Sequence, residues 1–174
     1  LNTLVQYAKE YRYYNLDSLK TLSEKVMRIS EQYNIPFAKA NAHSLLGSYH
    51  SDKGNQARAL THYHTILYLC REHGFKDLEL KTLSSVGFEY ETKGNYAKAL
   101  GTYLDALELA MEYGNKDMQS ILNEHIANLY ISQKDFDQAM YFYEKVKKLN
   151  EEIGDEVFIA ETMSNMASAY ADMG

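Results

Sequence analysis

Apolar residues recur at spacings of three and four along most of this 174-residue chain. In the segment LELKTLSSVGFEYETK, the apolar or small positions are Leu83, Val86, Gly87 and Tyr90. This period places them on one face of an α-helix and leaves the charged residues for the opposite face. No segment of the sequence shows the strict apolar–polar alternation of a half-buried strand. The pattern therefore predicts an all-α fold.

The turn residues between these segments repeat at a period of forty residues. The octet KGNQARAL at 53–60 returns as KGNYAKAL at 93–100, with six of the eight letters unchanged. The aligned turn positions are Gly54-Asn55, Gly94-Asn95, Lys134-Asp135 and Gly174. A second set of helix-ending positions is Tyr33-Asn34, His73-Gly74, Tyr113-Gly114 and Ile153-Gly154. Two helix breakers per period, with a helix-length segment between them, predict successive helix pairs.

The repeated octet contains the residues that a corner between two helices needs. Gly54 and Gly94 are predicted to end a helix in the left-handed conformation, which glycine tolerates. Asn55, Asn95 and Asp135 are predicted to begin the next helix, because their side chains accept from its free backbone N–H groups. The octet recurs because the corner between antiparallel helices recurs.

These positions resemble the motif of the tetratricopeptide repeat (TPR) family. That motif places a large apolar residue, a small residue and tyrosine in a first helix, and alanine, an aromatic and a small residue in a second. The clearest copy is Val86, Gly87, Tyr90, Ala99, Tyr103 and Ala106. The copies on either side are Leu46, Gly47, His50, Ala59, Tyr63 and Ile66, and Ile126, Ala127, Tyr130, Ala139, Tyr143 and Val146. The repeat length here is near forty residues, whereas about 34 residues is usual for the family. In this respect the chain resembles the subfamily of kinesin light chains and bacterial sensory and regulatory proteins.

The resemblance implies a right-handed solenoid of antiparallel helix pairs, with about nine helices in a single array over 1–174. Successive repeats are expected at 1–35, 36–75, 76–115 and 116–155. The first repeat diverges, because YYNLDSL is shorter at the turn, lacks the glycine and puts Leu19 in the alanine position. An unpaired helix is expected at 156–174.

The unpaired last helix is expected to expose Met163, Met166 and Tyr170 as one apolar face. The outer faces of terminal repeats in complete arrays are usually polar. We therefore expect the native chain to continue past Gly174, and this end to pack on another molecule, with a second copy of the chain as one candidate.

In the TPR family the first helices line a concave binding surface, and the resemblance assigns that role to the corresponding positions here. They are Asn41, Ser44, Ser48, Lys81, Ser84, Phe88, Glu91, Ile121, Glu124, Asn128, Ile131 and Glu161. Large apolar residues beside glutamates suit an extended or helical peptide with basic flanks. The alternative is that these side chains only cover neighbouring helices. Because serine and glutamate predominate, a clamp for an anionic peptide tail is not expected.

Composition narrows the classes of partner. The net charge of −6 argues against nucleic acid, which requires a basic surface. No apolar run approaches the roughly 18 residues of a membrane span, and no signal segment opens the chain. The single cysteine, Cys70 in ILYLC, is predicted to be a buried thiol. A soluble protein is expected, with the cytoplasm favoured over the periplasm and the compartment left open.

The sequence contains no pattern typical of a catalytic or metal site. His43 and His50 are seven residues apart and share a helix face, whereas His62 and His64 are two apart and point in different directions. No metal and no cofactor are predicted, and His43 and His50 are interpreted as packing residues, with a pH-sensitive repeat as the alternative. Phosphate-binding loops, nucleophile elbows and paired catalytic carboxylates are also missing from the sequence. An enzyme is therefore not expected.

The sequence predicts a non-catalytic protein- or peptide-binding scaffold. By resemblance, it would be the sensory or regulatory arm of a larger bacterial signalling protein. The output domain of that larger protein would be, for example, a GGDEF diguanylate cyclase, a histidine kinase or a transcription regulator. Two alternatives stay open. One is a small-ligand or peptide-pheromone receptor in which binding changes the superhelix pitch, and the other is a self-association segment.

Overall fold

The computed structural model of the chain describes residues 1–172, and this part contains nine α-helices and no strand. The helices are α1 Asn2–Tyr11, α2 Leu16–Gln32, α3 Pro36–Asp52, α4 Gln56–His73, α5 Lys76–Thr92, α6 Tyr96–Glu112, α7 Lys116–Ser132, α8 Phe136–Ile153 and α9 Glu156–Asp172. The all-α prediction is confirmed. Gly174, predicted as the next turn glycine, lies outside the described residues.

The helix-ending glycines have the predicted left-handed backbone. Gly54 has φ +71° and Gly94 has φ +72°. The N–H of Gly54 donates to the carbonyl of Ser51 at 2.8 Å, which closes the last turn of α3. At the equivalent corner before α8, Lys134 has φ +60°, a left-handed backbone conformation that glycine adopts more readily than lysine does.

The residues after these corners cap the next helices as predicted. The side chains of Asn55 and Asn95 accept from the third backbone N–H beyond them, at 3.4 and 3.3 Å. Asp135 does the same at the start of α8, at 3.2 Å. Each cap satisfies a donor that the first turn of a helix otherwise leaves free.

The chain divides into two compact units, Leu1–Glu89 and a second that begins at Tyr90. The core of the first unit includes Val5, Ala8, Leu19 and Leu45, all less than a tenth exposed. Leu19 is fully buried, as its alanine position predicts. The helices α1, α2, α3 and α4 pack in sequence, and α1 also contacts α3.

The close approach of α3 and α4 depends on a glycine. A Cβ built on Gly47 would lie 2.6 Å from Cε1 of Tyr63, whose ring is only 5% exposed. Any larger residue would overlap this ring, so the small position of the repeat brings the two helices together.

The core of the second unit is built from the predicted repeat positions. Tyr103, Ala106, Ile126 and Val146 are fully buried. Helix α7 packs on α6 and on α8, and α8 packs on α9. These positions of the repeat are therefore packing residues.

One prediction for the last helix is wrong. Met163 and Tyr170 are 55% and 57% exposed as expected, but Met166 is only 9% exposed. Met166 lies on the same side of α9 as buried Thr162 and Ala169, since residues four and three apart share a helix face. That side packs on α8, so the exposed stripe of α9 excludes Met166.

None of the helices, as far as residue 172, has the length and hydropathy that crossing a membrane requires.

Candidate binding surface on the first helices

In three helix pairs, a buried tyrosine of the second helix reaches a polar side chain of the first. The pairs are Tyr63 with Ser48, Tyr103 with Glu91, and Tyr143 with Asn128. The hydroxyl of Tyr103 donates to Oε2 of Glu91 at 2.8 Å, and that of Tyr143 donates to Oδ1 of Asn128. A buried tyrosine hydroxyl needs a hydrogen-bond partner. Three predicted groove positions therefore also serve the packing of their own helix pair.

Tyr103 and Tyr143 are neutral donors. Burial, and then the nearby Glu124 carboxylate, raise the pKa of Tyr143 to about 12. Burial also raises the pKa of Tyr103, and its hydrogen bond to Glu91 acts in the same direction. The sequence indicated these tyrosines by their forty-residue spacing, but it did not indicate which first-helix residue each hydroxyl would contact.

In the second unit, two carboxylates lie near each other on α7 and α9. Burial, and then the charge of Glu161, raise the pKa of Glu124. The amide of Asn165 donates to Oε1 of Glu124 at 3.3 Å and so joins α9 to α7. Ile121 and Ile131 are half-buried on α7, with Glu124 on the same helix face. This face combines apolar surface with negative charge.

In the first unit, the predicted positions of α5 differ in exposure. Phe88 is 48% exposed, Ser84 is half-buried and Lys81 is exposed. On α3, Ser44 and Ser48 are half-buried. Phe88 is thus a large aromatic side chain that the packing of this unit leaves accessible.

The first helices of the first unit also form a cleft of about 490 Å³. Its lining includes the predicted groove positions Asn41 and Lys81, from α3 and α5. Three further lining residues, Lys9, Phe37 and Phe75, were not identified from the sequence. The rings of Phe37 and Phe75 meet edge to face with centroids 5.1 Å apart.

Three histidines cluster between α3 and α4. Nδ1 of His43 lies 2.9 Å from Nδ1 of His62, and the ring of His50 stacks on His62 at 5.5 Å. Burial, and then the neighbouring His62 and Lys39, lower the pKa of His43 to about 4. Burial lowers the pKa of His62 as well. The pair is therefore neutral near pH 7, with one ring donating its N–H to the other.

The interpretation of His43 and His50 as packing residues is confirmed by these contacts. The contribution of His62 was missed, because sequence spacing alone does not show which face of α4 meets α3. Among the described residues, no group of three or more histidine, cysteine or acidic side chains is arranged to hold a metal ion. Cys70 is 1% exposed, and burial raises the pKa of its thiol to about 11, as expected for a structural thiol.

Nine helices in paired, repeated packing, over residues 1–172, define the class of α-helical repeat proteins. Residues 122–153 match the family model of the tetratricopeptide repeat. The predicted fold class, an all-α TPR-type solenoid, is thereby confirmed, and the match over residues 122–153 supports the predicted TPR family. Among curated proteins, none matches the sequence of this chain.

Solved structures with the same fold include the following three. A signal transduction ATPase with numerous domains (STAND) from Pyrococcus horikoshii, which has a tetratricopeptide repeat sensor, is 25% identical with a TM-score of 0.81. Aspartyl phosphate phosphatase F from Bacillus subtilis is 15% identical with a TM-score of 0.84. A Rap protein in complex with competence and sporulation factor is 16% identical with a TM-score of 0.78.

These similarities cover most of this chain but only part of each of the other proteins. The alignments span 97%, 92% and 96% of this chain, in the same order. They span 26%, 42% and 52% of the other chains. The chain thus corresponds to about a quarter of the STAND protein and to less than half of the phosphatase.

Proposed function

We propose that this chain is a non-catalytic protein- or peptide-binding scaffold that serves as the sensory or regulatory arm of a larger bacterial signalling protein. The observation that carries the proposal is the exposed apolar surface left on the first helices after packing is complete. Phe88 is 48% exposed in the first unit, and half-buried Ile121 and Ile131 lie beside Glu124 in the second. Apolar side chains on such a surface are typical of interaction sites.

The acidic pair of the second unit supports a partner with basic flanks. The pKa of Glu124 is raised by burial and then by Glu161, so the charge of Glu161 makes ionisation of Glu124 less favourable. A lysine or arginine from a partner would lower this repulsion and would form charge-assisted hydrogen bonds. The charges of Glu124 and Glu161 would then select partners with basic flanks. Apolar contacts with Ile121 and Ile131 would increase the affinity.

The signalling role is supported by the STAND protein. The part of that protein to which this chain is similar is 26% of its length, and its name describes a tetratricopeptide repeat sensor. A repeat array that senses a partner while another domain produces the output fits the proposed arm. The likeness to aspartyl phosphate phosphatase F is at 15% identity and supports the fold alone.

A second candidate is a receptor for a small ligand or a peptide pheromone. The cleft of the first unit, about 490 Å³, falls in the range of small-ligand pockets, about 300–1,000 Å³. The Rap protein that was solved with competence and sporulation factor has the same fold. In this role, a ligand would bind in the cleft and would change the pitch of the array.

A third candidate is self-association through α9. Met163 and Tyr170 lie on the exposed side of α9 and are each more than half exposed, whereas Met166 lies on the buried side. Sedimentation over a range of concentrations tests this role, with Tyr170→Ser as the variant. A strict monomer with a well-protected α9 would exclude it.

Binding to blocked synthetic peptides tests the proposed function. An array of peptides with an apolar centre and lysine or arginine flanks is incubated with the wild type and with Phe88→Ala/Ile131→Ala. We expect signals that fall at least several-fold in the double variant and in Glu124→Gln/Glu161→Gln. Tyr68→Ala/Tyr141→Ala, which truncates two exposed tyrosines of second helices (64% and 56% exposed), is the matched control. Equal signals for the first double variant and the wild type would remove both the Phe88 site and the Ile131 site from consideration.

A further inference from the structure

Three histidines form a continuous set of contacts across the interface of α3 and α4. Nδ1 of His43 on α3 lies 2.9 Å from Nδ1 of His62 on α4. The ring of His50, further along α3, stacks on His62 with an angle of 9° between the ring planes. All three side chains are half-buried. His62 is therefore held between two histidines of the facing helix.

The contact between His43 and His62 is a nearly linear hydrogen bond. The ring centroids are 5.2 Å apart, and this separation exceeds the distance between the two nitrogens by about two ring radii. Both nitrogens thus lie close to the line between the ring centres, so the N–H of one ring points at the lone pair of the other. A metal ion held by both nitrogens would lie to one side of that line, because both lone pairs would have to point at the ion. The two rings are therefore arranged to share a proton.

This hydrogen bond determines the tautomers of the two neutral rings. A neutral imidazole carries one proton, on either Nδ1 or Nε2. The donor ring carries its proton on Nδ1, so its Nε2 is bare. The acceptor ring carries its proton on Nε2, so its Nδ1 is bare and accepts the hydrogen bond. One bare nitrogen of the pair thus lies outside the contact and the other lies within it.

The two bare nitrogens respond differently to acid. A first proton binds the Nε2 of the donor ring, whose Nδ1–H still donates to the acceptor, and the hydrogen bond becomes charge-assisted. A second proton has only the Nδ1 of the acceptor ring left. It places two N–H groups against each other across the contact between His43 and His62. The second proton therefore removes the hydrogen bond and adds repulsion between two like charges.

The surroundings oppose this added charge. Burial lowers the pKa of His43, and the nearby His62 and Lys39 act in the same direction. Burial also lowers the pKa of His62 and of His50. The charged or titratable side chains near the cluster are Glu31 and Lys20 on α2, Lys39 and Tyr49 on α3, and Arg58 on α4. Of these charged groups only Glu31 is an anion, and it already pairs with Lys39 at 3.5 Å.

We propose that His43 and His62 form an acid-operated latch between α3 and α4, which stays closed when one proton is added and opens when the second is bound. Opening loosens the helix contact beside Tyr63, which follows His62 in the chain and packs on Gly47. Because an open pair binds the second proton more readily than a closed pair, acid favours the open state. The inference goes beyond the proposed function and does not depend on which partner the chain binds.

Histidine NMR tests the two proton-binding steps. Long-range proton–nitrogen correlation spectra of the isotope-labelled chain report the tautomer and charge of each ring from about pH 7.5 to about pH 3.5. We expect opposite tautomers for His43 and His62 near neutral pH, and two separate steps on acidification, with apparent pKa values that belong to the pair. The same tautomer in both rings would overturn the proposal. So would a single step at the ordinary histidine pKa of about 6.5.

Amide exchange tests the opening itself. Below the second step, the protection factors of α3 and α4 should be about tenfold lower than near pH 7, with a smaller change in α7 and α8 of the second unit. In His43→Gln and His62→Gln the glutamine can still donate to or accept from the remaining ring, protonated or not. Both variants should therefore keep α3 and α4 protected in acid. His64→Gln, at an exposed position of α4, is the matched control and should open like the wild type.

The variants also separate the latch from the titration of carboxylates, such as Asp52 in its ion pair with Arg12. If α3 and α4 lose protection in acid equally in the wild type and in both glutamine variants, carboxylates cause the opening and the latch is wrong. Full protection in the wild type after the second proton has bound would also overturn it. Circular dichroism at neutral pH checks that each variant folds. The wild-type titration and exchange data decide the question by themselves if a variant does not fold.

Discussion

Replacing Gly47 by alanine tests the contact on which the first helix pair depends. The new Cβ would lie 2.6 Å from Cε1 of Tyr63 and 3.0 Å from its Cδ1. Both atoms belong to a ring that is 5% exposed, so the ring has little room to move away. The substitution therefore pushes α3 and α4 apart or rotates the tyrosine.

The expected cost follows from three opposing contributions. Alanine in a helix interior is favoured over glycine by about 1 kcal/mol. Overpacking a core of this kind costs about 1–3 kcal/mol, and loss of the Tyr63–Ser48 contact costs about 1 kcal/mol more. We expect Gly47→Ala to lower the free energy of unfolding by about 1–3 kcal/mol.

Gly101→Ala is the matched control within the interior of α6. A Cβ at Gly101 meets nothing within 4 Å, so only the helix preference of alanine remains. This variant should gain about 1 kcal/mol. The same glycine-to-alanine substitution is thus predicted to lower the free energy of unfolding at Gly47 and to raise it at Gly101.

Urea unfolding followed by circular dichroism measures both variants. With a slope of about 2 kcal/mol/M, Gly47→Ala should lower the midpoint by about 0.5–1.5 M. Because repeat arrays can unfold in parts, amide exchange in α3 and α4 should locate the loss. A Gly47→Ala chain as stable as Gly101→Ala, with unchanged exchange, would show that these helices are not in the close contact described.

The remaining predictions concern helix ends and a histidine, and urea midpoints measure each. Asn95→Ala removes the cap on the N–H of Lys98 and should cost about 1 kcal/mol, whereas Asn95→Asp should cost little. Lys134→Gly should gain about 1 kcal/mol, because φ +60° is unfavourable for a side-chain-bearing residue. The folded-state pKa of His43, about 4, lies below its unfolded value, so its contribution is present above about pH 6.5 and is lost toward pH 4. His43→Gln should flatten that part of the pH profile, and the control His64→Gln at an exposed position should not.

The helix corners could be predicted because their determinants are local. The left-handed backbone at Gly54 and the cap at Asn95 depend on one residue and its near neighbours. The burial of Ala99 and Tyr103 followed from spacing, because equivalent positions of a repeat make equivalent contacts. Both kinds of information are contained in a single sequence.

The cleft could not be predicted in the same way. Phe37 and Phe75 are 38 residues apart and so do not occupy equivalent positions of a forty-residue repeat. Lys9 belongs to the divergent first repeat, where the shorter turn obscures the alignment. Their meeting depends on how α1, α3 and α5 pack, which is a tertiary property. The contact between His43 and His62 was missed for the same reason.

Packing and candidate binding share residues on the first helices, and this determines which substitutions can identify a binding site. Glu91 accepts a hydrogen bond from buried Tyr103, and Asn128 accepts one from Tyr143. Removing either acceptor leaves a buried hydroxyl unsatisfied, at a cost of about 1–3 kcal/mol. Lost binding in such variants would therefore report weakened helix pairing as readily as a lost contact to a partner. Phe88 is half exposed, and surface truncations usually change stability by less than about 0.5 kcal/mol. Loss of binding in Phe88→Ala would consequently be attributable to the surface itself.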